Sequence, residues 1–427
     1  MSTDDLESYD VVPKNVQKLL TQGKNVTIHG AAGTGKSTIL RAIVKKHKNC
    51  VVLSPTGIAA LNVGGQTLHS FFGLPFGMIN PVDLKGVPRN YDVLGKRPLI
   101  IIDEISMVRS DVFNAIDLVL KKTLYRNTPF AGLQVLLLGD TGQLPPIVTN
   151  VESKYFEDEG SEMFFASKAY KDGRFQLVEL EDVFRQSNEK FIEFLFRVRT
   201  NDIKSKHIDW FNEKVDIVPT RDYLKRDDPT STVLCMTNMR ADEYNITMFD
   251  RLTTEEVVYN AEITGRFNEA EYPTYSELHL KVGTKVVLLR NAKDKSYVNG
   301  TVGLVTKLGK NCVWVAVKDE DIKVEFETWE KFAYVDSPNG AEKKVVGTFK
   351  QIPVRLAWAV TVHKSQGMTL SRFHLDLERR PFTHGQMYVA LSRARSIKGI
   401  TSTRPIQRAD IIVDRSKLLT HNASHKT

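Results

Sequence analysis

The chain has 427 residues, of which 41% are hydrophobic and 26% charged, a size that accommodates two to four domains around sizeable cores. Its formal charge of +8 favours a polyanionic partner, although ribosomal, membrane-surface or merely well-solvated proteins share that balance. Three scattered cysteines, Cys50, Cys235 and Cys312, exclude a disulfide framework and a C-x-x-C zinc site, and no stretch approaches the roughly 20 apolar residues of a membrane span.

The opening MSTDDLESYD is acidic and has no apolar stretch, which speaks against a secretory or Arg-rich leader, so a reduced, soluble, intracellular protein is expected. Val26 to His29 then reads as a short strand feeding Gly30-Ala31-Ala32-Gly33-Thr34-Gly35-Lys36-Ser37, which fits the phosphate-binding loop G-x-x-x-x-G-K-[ST]. Ile39, Leu40, Ile43 and Val44 follow at helical spacing, so the loop opens a helix whose N-terminus faces the phosphates. Gly30, Ala31, Gly33, Thr34, Gly35 and Thr38 belong to this nucleotide-binding set. Lys36 reaches the outer phosphates, and Ser37 is placed to ligate Mg²⁺.

A second strand, Cys50 to Leu53, ends in Ser54-Pro55-Thr56-Gly57-Ile58-Ala59-Ala60. Strand, helix, strand in this order predicts a parallel α/β sheet, whose ligands gather at the carboxyl ends of strands. Leu99 to Ile102 is a continuous apolar run that ends in Asp103-Glu104. After a phosphate loop, Asp103 suits Mg²⁺, directly or through water, and Glu104 suits polarising the attacking water. A fourth strand, Gln134 to Leu138, leads to Gly139-Asp140-Thr141-Gly142-Gln143-Leu144-Pro145-Pro146, where Gln143 can sense a γ-phosphate or position water.

Together these residues resemble a superfamily 1B helicase of the PIF family, relatives of RecD and Dda. Thr56 to Ala60 with Gly64-Gly65-Gln66-Thr67-Leu68-His69-Ser70-Phe71 is similar to the family's motif beside single-stranded DNA, and Ile102 to Val108 is similar to its Mg²⁺ and water-activating motif. Tyr125 to Gly132 resembles its signature stretch, and Leu180-Glu181-Asp182-Val183-Phe184-Arg185-Gln186, after the acidic loop Glu157-Asp158-Glu159, resembles the crossing into a second domain. Gln351 to Thr369 and Gln386 to Arg395 resemble its last motifs.

The resemblance implies an α/β fold with two RecA-like parallel-sheet P-loop domains. The first spans 1–180 with a short wedge insert near 72–97, and the second spans 181–279 and 351–427. From Leu280 the texture turns to β, with Asn299-Gly300 as a hairpin signal, so 280–350 reads as an inserted β-barrel of the Src-homology-like kind. Arg185 is then expected to face the ATP phosphates, Arg393 to be the arginine finger, and Gly367, with Gln366, to lie toward the nucleotide. Pro55, Thr56, Gly57, His69, Ser70, Asn238, Thr361, His363 and Lys364 become expected DNA contacts. Trp358 reads as core, and Arg395 as either a surface charge or a cleft residue.

The implied activity is ATP- and Mg²⁺-dependent translocation 5′ to 3′ on single-stranded DNA with unwinding of tailed or forked duplexes, by a monomeric motor away from membranes. It would work at DNA, in the nucleus of a eukaryote or virus-infected cell or in bacterial cytoplasm. A single-strand translocase or an ATP-gated DNA-binding scaffold with weak unwinding stands as the alternative, with a protein-remodelling P-loop ATPase behind it. Three departures bear on this. Pro13 stands where the family has its adenine-reading glutamine, with Gln17 four residues late, so adenine selectivity does not carry over. Ala131 replaces a usual glycine, and Thr141-Gly142 an aromatic-bearing pair. Phe72 to Lys96 is short and lacks a dense basic loop, so strand separation carries over less firmly than translocation.

Overall fold

Four apolar runs lie almost wholly buried side by side. In the computed structural model, which describes residues 8–75, 77–87, 90–158, 161–225, 231–292, 297, 299–317, 320–337 and 340–420, these are β1 (Val26–Gly30), β2 (Cys50–Ser54), β4 (Leu99–Ile102) and β5 (Val135–Gly139). With β3 (Gln66–Thr67) and β6 (Gln176–Leu180) they form one sheet of order β3-β2-β4-β5-β1-β6. Every pairing in it is parallel. Strands flanked on both faces have no solvent side, which is why their sequences do not alternate. The helix Lys36–Lys46 covers one face with Ile39, Leu40, Ala42 and Ile43. The other face carries an aromatic cluster in which Phe113 meets Phe130, Phe164, Tyr170 and Phe175.

The second half supplies β7 (Asp216–Ile217), β8 (Ser231–Cys235), β9 (Glu256–Asn260), β10 (Glu262–Gly265), β11 (Glu277–Lys281) and β12 (Lys285–Leu288). It continues with β13 (Val302–Leu308), β14 (Cys312–Val317), β15 (Glu320–Glu325), β16 (Glu327–Ser337) and β17 (Gly340–Gln351). β18 (Val354–Leu356), β19 (Ala359–Thr361), β20 (Arg372–Leu375) and β21 (Ile400–Ser402) complete it. A second all-parallel sheet has the order β19-β8-β20-β21-β7. Between β8 and β19 in sequence lie the antiparallel strands, including the five-stranded sheet β15-β14-β13-β12-β18. They begin at Glu256, upstream of the change in texture at Leu280. Trp358 is buried, as expected of a core residue.

β16 and β17 pair from Glu327↔Gln351 to Ser337↔Gly340, and this hairpin reaches the first sheet. Tyr334 buries its ring against Phe71, with centroids 6.0 Å apart, and its hydroxyl accepts the Val52 N–H at 2.7 Å. The two-residue β3 cannot pair along all of β2, so the tyrosine satisfies a strand group that lacks a ladder partner.

Two local expectations change. The acidic stretch expected as a loop is helical through Glu157 and Asp158, in Asn150–Asp158, and Glu159 lies outside the described residues. β12 and β13 do pair antiparallel, but through a connection from 289 to 301, so Asn299-Gly300 turns at its end and does not by itself join two strands. The Asn299 N–H is taken up by Asn291 Oδ1 at 2.7 Å, which closes a wider loop; Val298, one flank of that signal, lies outside the described residues. In the segment near 72–97, Leu74, Ile79, Leu84, Val87, Val93 and Leu94 are buried in the core of the first sheet. Phe76, Pro88 and Arg89 of that segment lie outside the described residues. Among the described residues no helix is long and apolar enough to cross a membrane.

Candidate active site and nucleic-acid surface

Gly33 and Gly35 adopt φ of +87° and +82°, a left-handed backbone that glycine takes without strain. A Cβ on Gly33 would lie 2.6 Å from Arg185 Cβ, so the loop also needs glycine to let the second half approach. Lys36 turns back over the loop, its Nζ donating to the carbonyls of Gly30 at 2.7 Å and Ala31 at 2.9 Å. Thr34 Oγ1 donates to the Ala31 carbonyl at 2.9 Å. Burial pushes the Lys36 ammonium down, opposed first by Asp140 and then by Glu104.

Beside the loop, at the end of β4, Asp103 is buried and Glu104 takes φ +52°, an uncommon strain for a non-glycine that aims its carboxylate into the cleft. Burial and then the neighbouring Glu104 push Asp103 up to about 7. Glu104 is raised by burial too, with Lys36 and Arg393 pulling it back. Gln366 Nε2 stands 3.4 Å from Glu104 Oε2 and 3.5 Å from Gln143 Oε1, tying the segment from Gln351 to Thr369 to both of these side chains.

The expected nucleotide residues meet in one cleft of about 510 Å³. From the first half come Gly33, Thr34, Gly35, Lys36, Ser37, Thr38, Glu104 and Gln143; from the second come Arg185, Gly367 and Arg393. Gly30, Ala31 and Asp103 do not line it: the first two offer carbonyls to Lys36, and Asp103 is buried. Ala32, Phe184, Thr369 and Arg395 line it as well. Arg185 Nη1 donates to the Ser392 carbonyl at 3.0 Å, and burial lowers its pKa. Arg393 is 1% exposed, held by the Val389 carbonyl at 2.9 Å and Ser392 Oγ at 2.9 Å, and burial followed by Arg185 pushes it down to about 9.

Ser37 and Asp103 supply hard oxygen donors next to a lysine-bearing anion cradle, a set that fits Mg²⁺ shared with phosphate oxygens. Among the described residues no cluster of three His, Cys, Asp or Glu competes as a metal site.

Asp140 is the residue that sequence reasoning passed over. It is fully buried and accepts from Arg199 Nε at 2.8 Å, Gln143 Nε2 at 3.1 Å and the Tyr388 hydroxyl at 3.3 Å. The same hydroxyl accepts the Ala32 N–H at 2.8 Å, so a residue of the Gln386–Leu391 helix touches the phosphate loop itself.

The expected DNA contacts fall in two patches, each just beyond carboxyl ends of parallel strands. One holds Pro55, Thr56 and Gly57 after β2, with His69 and Ser70 just past β3. Thr56 caps its helix by accepting the Ala59 N–H at 3.3 Å, and Ser70 Oγ accepts from Gln66 at 2.9 Å. The half-buried His69 is pushed down by burial and then by Arg109. The other patch holds the exposed Asn238 and Lys364 and the half-buried His363, whose ring faces Phe382 at 6.4 Å. Thr361 is 2% exposed and its hydroxyl accepts the Lys364 N–H at 3.3 Å, so it supports this patch from below.

The sequence model of PIF1-like helicases matches residues 2–209, and that of the DNA helicase Pif1 2B domain matches 269–308. The chain is 30% identical over 400 residues to the ATP-dependent DNA helicase Pif1 of Campylobacter jejuni, covering 87% of this chain and 86% of that one. It is 32% identical over 394 residues to that of Bdellovibrio bacteriovorus, covering 90% and 84%. Bacteroides Pif1 in complex with ADP-AlF4 superposes with a TM-score of 0.87 at 36% identity, over 95% of this chain and 94% of that one. Bacteroides Pif1 bound to single-stranded DNA gives 0.67 at 36% identity over 94% of each chain. The chain belongs to the PIF1-like helicase family.

Proposed function

We propose that this chain is an ATP-dependent DNA helicase that moves 5′ to 3′ along a single strand and opens tailed or forked duplexes. The observation that carries it is the cleft in which Arg185 and Arg393 of the second half stand with Lys36, Glu104 and Gln143 of the first. Lys36 would leave its loop carbonyls for the β- and γ-phosphates. Glu104 would take the proton of the attacking water, its basicity raised by burial, while Gln143 and Gln366 orient that water. Arg185 and Arg393 would meet charge developing on the γ-phosphoryl. Ser37 and Asp103 would hold Mg²⁺, whose charge would offset that of the phosphates. In this reading 1–180 and the paired segments 181–279 and 351–427 are the two motor domains, with 280–350 inserted. His69, Asn238, His363 and Lys364 hold the strand, and the protein works as a monomer at DNA inside the cell, in nucleus or bacterial cytoplasm.

A translocase with weak strand separation is the second reading, favoured by the burial of the apolar residues between 72 and 97 in the first core. Steady-state ATP hydrolysis with and without single-stranded DNA, followed by unwinding of duplexes with either a 5′ or a 3′ tail, separates the two. Stimulated turnover with opening from the 5′ tail alone supports the helicase. Stimulation without opening supports the translocase, opening from the 3′ tail reverses the direction, and absence of stimulation rejects both.

A further inference from the structure

The turn that carries Gln143 is clasped by a segment of the other half. His384 Nε2 donates to the Thr141 carbonyl at 2.8 Å. Gly385 takes φ +71°, and a Cβ there would stand 2.5 Å from the Gly142 carbonyl oxygen, so glycine is what lets the following helix close on the turn. Tyr388, in that helix (Gln386–Leu391), is buried and completes the clasp through its hydroxyl.

The hydrogen bonds of that hydroxyl run in one direction. It accepts the Ala32 N–H of the phosphate loop at 2.8 Å and donates to Asp140 Oδ2 at 3.3 Å. Burial, then Asp140, push the phenol up, so the proton that it donates stays in place. The same carboxylate oxygen accepts from Gln143 Nε2 at 3.1 Å, while Oδ1 accepts from Arg199 Nε at 2.8 Å and the Gly142 N–H at 3.1 Å. A carboxylate only accepts, so the end of the Gln143 amide that faces it is Nε2, and Oε1 is left for the cleft. The path from the phosphate loop to Gln143 therefore passes through a hydroxyl of the other half. Val389, the next residue of that helix, holds Arg393 Nε by its carbonyl at 2.9 Å.

We propose that Tyr388 is a positioning residue for hydrolysis, its hydroxyl setting the Asp140 carboxylate that orients Gln143, so that turnover and not nucleotide affinity depends on it; this rests on the nucleotide-cleft reading above. Parting the halves takes the hydroxyl from Ala32 and Asp140 at once, and Arg393 leaves with it. Gln143 is then correctly held only while the arginine is in place.

The test measures steady-state ATP hydrolysis with single-stranded DNA and Mg²⁺, and equilibrium binding of a fluorescent ADP analogue. It compares the natural full chain with Tyr388→Phe, Gln143→Ala and the double variant; phenylalanine keeps the buried ring. In Tyr388→Phe, kcat should fall about tenfold, while the KM for ATP and the affinity for the analogue stay within about threefold of the natural protein. The double variant should lose no more than about threefold beyond Gln143→Ala alone, because both side chains act through one carboxylate. A kcat within about threefold of the natural protein or losses that multiply in the double variant overturn the proposal. Equal losses in analogue affinity and kcat also overturn it, since a merely loosened core gives that pattern. Lys36→Ala separates the two readings. If it leaves turnover and analogue binding unchanged, the cleft itself is misassigned and the role of Tyr388 falls with it; if it abolishes turnover while Tyr388→Phe keeps it, only the proposal fails.

Discussion

Lys36 and Asp140 are both buried charges, and they were unequally visible. Lys36 stands in a contiguous loop whose glycines, spacing and following helix all encode one local geometry, so its place is readable without the fold. Replacing it with alanine removes the one ammonium bonded to the Gly30 and Ala31 carbonyls, and ATP turnover is expected to fall about 10²- to 10³-fold or more. Phosphate release that stays unchanged in that variant would remove Lys36 from the chemistry. Asp140 takes its partners from positions 199 and 388, and no periodicity links such distant residues. Burial alone would raise its pKa, but Arg199, then Lys36 and His29, outweigh it and hold the carboxyl well below its ordinary range. A folded pKa below the unfolded value of about 3.9 stabilises the fold above about pH 4, and that contribution is lost as pH falls through the folded value. Arg199→Met strands this carboxylate and should cost about 3–5 kcal/mol near pH 7. Protonation then relieves the variant first, so the gap in thermal midpoint between it and the natural protein should narrow toward pH 4. A gap constant from pH 4 to 8 would show that Asp140 is not the group concerned.

At the scale of elements, strands buried on both faces were legible because uninterrupted apolar runs admit few other readings. What escaped were contacts made by elements far apart in sequence. The hairpin of β16 and β17 alternates as a half-exposed ribbon should, and nothing in that alternation says that Tyr334 enters the core of the other half. Its hydroxyl completes β2 where β3 stops short, so Tyr334→Phe keeps the ring and leaves the Val52 N–H without its partner. An unsatisfied buried amide costs about 1–3 kcal/mol. Hydrogen exchange at Val52 should therefore quicken by about tenfold, while β5, two strands away, keeps its protection. Equal quickening in both strands would mean that the whole sheet has loosened. The 3.3 Å and 2.8 Å contacts of the Tyr388 hydroxyl make the same point from the Gln386–Leu391 helix: only the fold reveals that one residue of it rests on the phosphate loop.

For the whole molecule, the cleft is the place where two sheets of the same parallel design meet, and its charge is divided between them. The first half holds the anion cradle and both carboxylates; the second supplies Arg185 and Arg393, anchored to the carbonyls and hydroxyl of the segment 389–392. In the proposed mechanism neither set stabilises a transferring phosphoryl by itself, so turnover would require the halves to stand at one particular separation. The residues proposed to hold DNA follow strands of both halves, so a strand gripping both would favour that separation. Arg393→Ala separates holding the nucleotide from hydrolysing it. The phosphate loop remains intact, so affinity for ATP should change by less than about tenfold, whereas DNA-stimulated turnover should drop about 10³- to 10⁵-fold, the range for an arginine that meets developing phosphoryl charge. Equilibrium binding and steady-state hydrolysis on the same preparation give both numbers. An equal loss in both would place Arg393 in ground-state binding. A small loss in turnover would move the finger role from Arg393 to Arg185 or Arg395, which line the same cleft.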